Sequence, residues 1–169
     1  MTPLRVIVGA SFPRDGPSEL HDLAKALRAG DGRAVGRVLP ILGRGLEEQA
    51  PSTAATADVT LVPMAGHRAG TVSGAALLLA DQLAAAHPRW TVARALERIH
   101  DMPAARALGS RDPATEAGSL RWATVTGAGP VLLIDDVVHT GASLDSAWLA
   151  APAELRERLV ALVAFRAVD

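Results

Sequence analysis

Two adjacent carboxylates, Asp135 and Asp136, stand inside the run VLLIDDVVHTGASL, Val131 to Leu144. Apolar residues lead into the pair. Val137, Val138, His139, Thr140, Gly141, Ala142 and Ser143 follow it before a helical segment. Consecutive backbone N–H groups in a tight turn at a helix start make a cradle for an anion. Gly141 permits close backbone approach, and the Thr140 and Ser143 hydroxyls add donors. The loop has no Lys or Arg, so amide dipoles must do most of the holding. The carboxylates would repel an anion if they faced it. They make sense beside a group rich in O–H donors, because carboxylates accept strong charge-assisted hydrogen bonds. A ribose with free 2′ and 3′ hydroxyls and a phosphate on its 5′ oxygen supplies both features. A plainer explanation also exists: an Asp pair can turn the chain, and Thr-Gly-Ala-Ser can cap a helix.

Other residues invite weaker readings. The loop AGHRAG, Ala65 to Gly70, combines two cation-capable side chains, His67 and Arg68, with Gly66 and Gly70; it also reads as a surface turn. Arg111 lies in a long segment, His100 to Ser119, without a hydrophobic period. The pairs LHD (Leu20 to Asp22) and IHD (Ile99 to Asp101) resemble the His-Asp pairs of metal phosphohydrolases, a reading that needs further well-spaced ligands. No Walker-type lysine follows a Gly-rich loop, and TGAG precedes a strand instead of following one, so it is a turn and not a dinucleotide fingerprint.

The elements that must position these residues alternate. Strands are expected at Leu4 to Val8, Asp58 to Met64, Gly129 to Asp135 and within VALVAFRAV, with GASFPRDG read as a turn. Leu20, Leu23 and Leu27 share one helical face, bounded by Pro17 and Gly30. A second helix spans DGRAVGRVLPILGRGLEEQ, kinked or divided by Pro40. TVSGAALLLADQLAAAH is the clearest helix, TVARALERI reads as strand then turn, and short helical pieces follow the acidic pair. The pattern predicts an α/β fold with a mostly parallel sheet, whose ligands bind beyond the carboxyl ends of the strands. The 169 residues, 49% hydrophobic but only 3% aromatic, give one domain with an aliphatic core. A formal net charge of −1 argues against a nucleic-acid partner. The absence of Cys excludes disulfides and thiolate metal sites. No secretion signal or bilayer-length apolar run is visible, so the expectation is a cytoplasmic protein without a membrane partner. An apolar chain of this size is open to homodimerisation.

VLLIDDVVHTGASL closely resembles the phosphoribosyl-pyrophosphate-binding motif of type I phosphoribosyltransferases: a hydrophobic strand, two acids, two aliphatics, then Thr-Thr-Gly-Ala-Thr or a variant. His139 departs from it, standing where Thr or Ser is usual. HDLAKALRAGDGRAVGRVL, LVPMAGHRAG and LERIHDMPAARALGSRDPATEAGSLRW resemble segments of the ComF-type phosphoribosyltransferase domain, without the cysteine-built zinc module that often precedes it. The resemblance implies a Rossmann-like core over about residues 58–169 and an N-terminal hood over about 1–57. It implies that Asp135 and Asp136 contact ribose hydroxyls and that Val138 to Ser143 bind the 5-phosphate. It places Gly66, His67, Arg68 and Gly70 at pyrophosphate, gives Arg111 a role closing over the leaving group, and leaves Lys25 near the site or on the surface. The implied activity is a magnesium-dependent pentosyl (glycosyl) transfer from phosphoribosyl pyrophosphate to a base or amide, as in nucleotide metabolism. Magnesium would be held mainly through the substrate. The alternative is a non-catalytic module of the same fold that senses phosphoribosyl pyrophosphate or a nucleotide, linked to DNA uptake as in ComF-like proteins.

Overall fold

The computed structural model describes residues 3–14, 18–54, 58–102 and 112–168. In chain order the elements are β1 (Arg5–Pro13), α1 (Glu19–Arg28), α2 (Gly32–Gln49), α3 (Pro51–Ala54), β2 (Val59–Pro63), α4 (Gly74–Ala86), β3 (Trp90–Val92), β4 (Leu96–Arg98), α5 (Pro113–Ala117), β5 (Leu120–Trp122), β6 (Val131–Val138), α6 (Ala142–Ala150), α7 (Ala153–Arg156) and β7 (Leu159–Val168). Five strands form one sheet in the order β1-β7-β6-β2-β3, every pair parallel, and β4 and β5 make a small antiparallel pair. The expected α/β architecture is therefore present.

Helices cover both faces, which explains the continuous apolar runs of the central strands. Val131 to Ile134 of β6 and Ala161 to Phe165 of β7 have no solvent exposure. One core lies under α1, α2 and α4, where Leu27, Val38, Leu42 and Leu79 meet Ile7, Leu132, Ile134 and Leu162. The other lies under α6 and α7, where Leu144, Trp148 and Leu155 meet Leu133, Ala161 and Val163. Among the described residues no helix is long and apolar enough to cross a membrane.

The N-terminal third departs from expectation. GASFP is not a turn: β1 runs on to Pro13, paired with β7 from Arg5↔Val160 to Pro13↔Val168. Gly9 serves close packing. A Cβ there would lie 2.8 Å from the Ala164 carbonyl oxygen and 2.9 Å from Ile41 Cγ2, and one at Gly45 would lie 3.2 Å from the Gly9 Cα. Two glycines thus let α2 press onto β1. β1 belongs to the main sheet, and α1 and α2 cover one of its faces. Pro40 does not divide α2. It lies on the exposed side, as does Gly36, whose carbonyl loses its helix donor there and can turn to water.

β1 is an edge strand. The Gln49 side chain docks on its open side: Nε2 donates to the Val8 carbonyl at 2.8 Å, and Oε1 accepts from the Val8 amide at 3.4 Å. This side-chain amide occupies the positions a neighbouring strand would use.

Candidate functional site

The sheet order creates a crevice. From β2 the chain turns through residues 64–73 into α4 and then reaches β3 on one side. From β6 it turns through His139 to Gly141 into α6 and reaches β7 on the other. β2 and β6 are neighbours, with Thr60↔Val131 through Pro63↔Ile134 in register. Their onward connections therefore diverge, which is the switch point where parallel sheets bind ligands. Both loops singled out by sequence open there.

The acidic pair lies within β6, not beyond it, because the ladder with β7 continues to Val138. Val137 and Val138, expected as loop residues, are buried strand residues. The connecting loop is thus only His139, Thr140 and Gly141. Gly141 has φ +87°, a left-handed conformation in which a side chain is strained. It delivers the chain into α6, whose Asp145 amide donates to the Gly141 carbonyl at 2.9 Å. The amides of Ala142, Ser143 and Leu144 are those that helix geometry leaves without an intrahelical acceptor. The Thr140 hydroxyl accepts from the Ala142 amide at 3.4 Å. His139 and Thr140 are exposed, and Ala142 and Ser143 half-buried.

The two acids differ. Asp135 is half-buried, and its Oδ1 accepts from the Asp136 amide at 2.9 Å. Burial, followed by the adjacent Asp136 carboxylate, pushes the Asp135 carboxyl well above the usual range, while Arg28 acts in the opposite sense. Asp136 is turned inward, its side chain 8% exposed, and forms an ion pair with Nε of Arg28 in the last turn of α1. Sequence reasoning missed Arg28, which at the polar end of an amphipathic helix reads as a solvated charge.

The 65–72 turn is tightly built. Ala65 and Val72 form a bridge, and the Gly66 amide donates to the Thr71 carbonyl at 2.8 Å. A Cβ at Gly66 would lie 2.3 Å from Thr71 Oγ1, so a side chain there would make that hydroxyl shift from its hydrogen bond to the Arg68 carbonyl. Gly70 has φ +69°. Asp101 accepts from the Ala69 amide at 2.7 Å, and the Met102 amide donates to the His67 carbonyl at 2.9 Å. The His67 and Arg68 side chains are exposed at the tip.

Beneath both loops runs a buried polar chain that the sequence did not disclose. Arg98 donates from Nε to the Gly66 carbonyl at 2.6 Å, from Nη1 to Ser119 Oγ at 2.6 Å and from Nη2 to Glu116 Oε1 at 3.0 Å. Ser143 Oγ donates to the same Glu116 oxygen at 3.4 Å. Glu116 belongs to α5, capped by Asp112, whose carboxyl is held below its usual range by hydrogen bonds from the Thr115 hydroxyl and amide. Nothing in LERIHD or DPATEAG marks Arg98 or Glu116 as buried, since isolated charges ordinarily read as solvated.

Other expected residues are dispersed. Arg111 lies outside the described residues. Lys25 is exposed, 3.9 Å from Asp22. His21 stacks on Phe12, and His100 is exposed. Among the described residues no group of three or more His, Asp or Glu is placed to hold a metal ion. A cleft of about 470 Å³ opens between Gly70–Val72 and the β4–β5 pair, with Arg94, Glu97, Arg121 and Trp122 on its walls; none of residues 135–143 lines it. No family model matches the chain, and no curated protein matches it.

Proposed function

We propose that the chain binds phosphoribosyl pyrophosphate in the crevice between the carboxyl ends of β2 and β6. It then transfers the phosphoribosyl group to a nitrogen of a base or amide and releases pyrophosphate. The observation that carries this reading is the placement of two anion-suited loops on neighbouring strands whose connections diverge, with Asp135 at the adjoining end of β6. The Thr140 and Ser143 hydroxyls and the first amides of α6 hold the 5-phosphate. Asp135 accepts from a ribose hydroxyl, which relieves the electrostatic cost of its neighbour Asp136. The 66–70 turn, with His67 and Arg68, meets the pyrophosphate, and Arg111 offsets charge on the leaving oxygen. The acceptor's nitrogen lone pair forms the new bond to the anomeric carbon as the carbon–oxygen bond breaks, its electron pair departing with pyrophosphate.

The donor set fits magnesium carried by the substrate: one half-buried carboxylate, Asp135, stands beside the loops, and Mg²⁺ usually takes few protein ligands and keeps waters. Bound there, the ion would offset pyrophosphate charge. The Arg28–Asp136 pair favours a second reading, binding without turnover. A diol reaching Asp136 must displace the half-exposed Arg28 side chain, a movement able to report occupancy to a partner. Pyrophosphate release in the presence of candidate bases separates the two.

A thermal melt tests binding. Phosphoribosyl pyrophosphate with magnesium at a hundred times its Kd should stabilise the chain by about 2.7 kcal/mol, roughly 5–10 °C for this size. Asp135→Asn combined with Asp136→Asn should abolish the shift while leaving a cooperative melt. A wild-type melt unmoved at millimolar ligand would overturn the proposal.

A further inference from the structure

We infer that Arg98 and Glu116 are positioning residues that tie the 66–71 turn to the first turn of α6, so that the two loops order as one unit. The inference rests on the phosphoribosyl reading only for the identity of what the loops hold.

Arg98 is 2% exposed and Glu116 is fully buried. Charges this deep persist only when paired and hydrogen-bonded. Arg98 grips the turn at both ends: its Nε donates to the Gly66 carbonyl at 2.6 Å, and its own carbonyl accepts from the Gly70 amide at 2.8 Å. The planar guanidinium fixes all its donors together, so a shift of Glu116 against Nη2 is felt at Nε. Glu116 Oε1 is shared, 3.0 Å from Arg98 Nη2 and 3.4 Å from Ser143 Oγ. The longer contact is the weaker one. When the Ser143 hydroxyl turns to a phosphate at the α6 terminus, Glu116 loses that second donor and its acceptor capacity passes to Arg98. The clamp on Gly66 then tightens. Occupancy of one loop thereby orders the other, and by linkage the reverse holds.

Hydrogen exchange on the full chain tests this without ligand. Glu116→Gln keeps the shape and removes the charge, and Arg98→Lys keeps the charge and removes the fork. Each should accelerate exchange at both Gly66–Thr71 and Gly141–Leu144 by about tenfold relative to the β6 and β7 amides, as expected for local opening below the global barrier. Ser143→Ala touches neither Arg98 nor the turn, yet it removes the competing donor from Glu116 and should slow Gly66–Thr71 by roughly twofold to threefold, the scale of one weak hydrogen bond. Acceleration confined to one loop, or spread equally over β6 and β7, would overturn the coupling. So would unchanged or faster Gly66–Thr71 exchange in Ser143→Ala. Ribose 5-phosphate should slow Gly66–Thr71 exchange in the wild type and not in Glu116→Gln; slowing that persists in the variant also counts against it. No response of the wild type to the sugar phosphate sinks the phosphoribosyl reading instead, while the ligand-free comparison still decides the coupling.

Discussion

Arg28→Gln probes the electrostatics of the crevice most directly. The guanidinium is half in water, 51% exposed, while its partner Asp136 is 8% exposed. Breaking a fully buried pair by removing one member costs about 3–5 kcal/mol, and an exposed pair contributes about 0–1 kcal/mol. Screening of Arg28 places this case low, at about 1–2 kcal/mol at neutral pH, or roughly 2–8 °C in Tm. The loss should depend on pH. Arg28 opposes the upward displacement of the Asp135 carboxyl, so its removal carries that carboxyl higher still. A group with a raised folded-state pKa contributes stability that is full below its unfolded value, about 3.9. That stability is lost as pH rises through the folded value. The variant extends this decline to higher pH, so its deficit is smallest near pH 4 and grows towards neutrality. Adding Asp136→Asn removes both the orphaned charge and the like charge beside Asp135, and should restore at least about half of the deficit, as expected for groups in direct contact. Urea titrations at several pH values read all three chains. A deficit that is the same in acid and at neutral pH, or no recovery in the double variant, would refute the reasoning.

Asp135→Asn should make stability less sensitive to rising pH above the acid range, measured as Tm against pH; a slope equal to that of the wild type counts against the raised carboxyl. The ionised form of Asp135 accepts from a diol, so the ligand-induced shift in wild type should grow with pH until that group is fully ionised, and a flat profile would remove Asp135 from the contact. Gly9→Ala forces a methyl to 2.8 Å from the Ala164 carbonyl oxygen, and overpacking of this kind should cost about 1–3 kcal/mol in a urea melt; a neutral result would mean that α2 can retreat from β1. Gly141→Ala should cost about 1–2 kcal/mol from the left-handed backbone alone and weaken the ligand-induced shift.

Much of the fold was legible because burial on both faces leaves a plain trace. VLLI and VALVAFRAV read as central strands, and α1 and α4 showed their periods or caps. The failures share a cause. Gly9 and Pro13 look like turn residues, and only the approach of α2 explains why a glycine lies inside a strand. Pro113–Ala117 and Leu120–Trp122 are too short to show a period. At the site, the switch-point loops were legible from residue type and order. The inward turn of Asp136 and the burial of Arg98 and Glu116 were not, because a charge read alone says nothing about the partner that the fold will bring from another element.

The docking of Gln49 on Val8 bears on how copies of this chain meet. An uncovered parallel edge invites strand addition, and the sheet has one long flank along β1. At Val8 both main-chain groups are already engaged by a side chain of the same molecule. Extension of the sheet from one copy into another along that flank must first unseat this amide, so the neighbouring helix serves as a built-in guard against fibre-like growth.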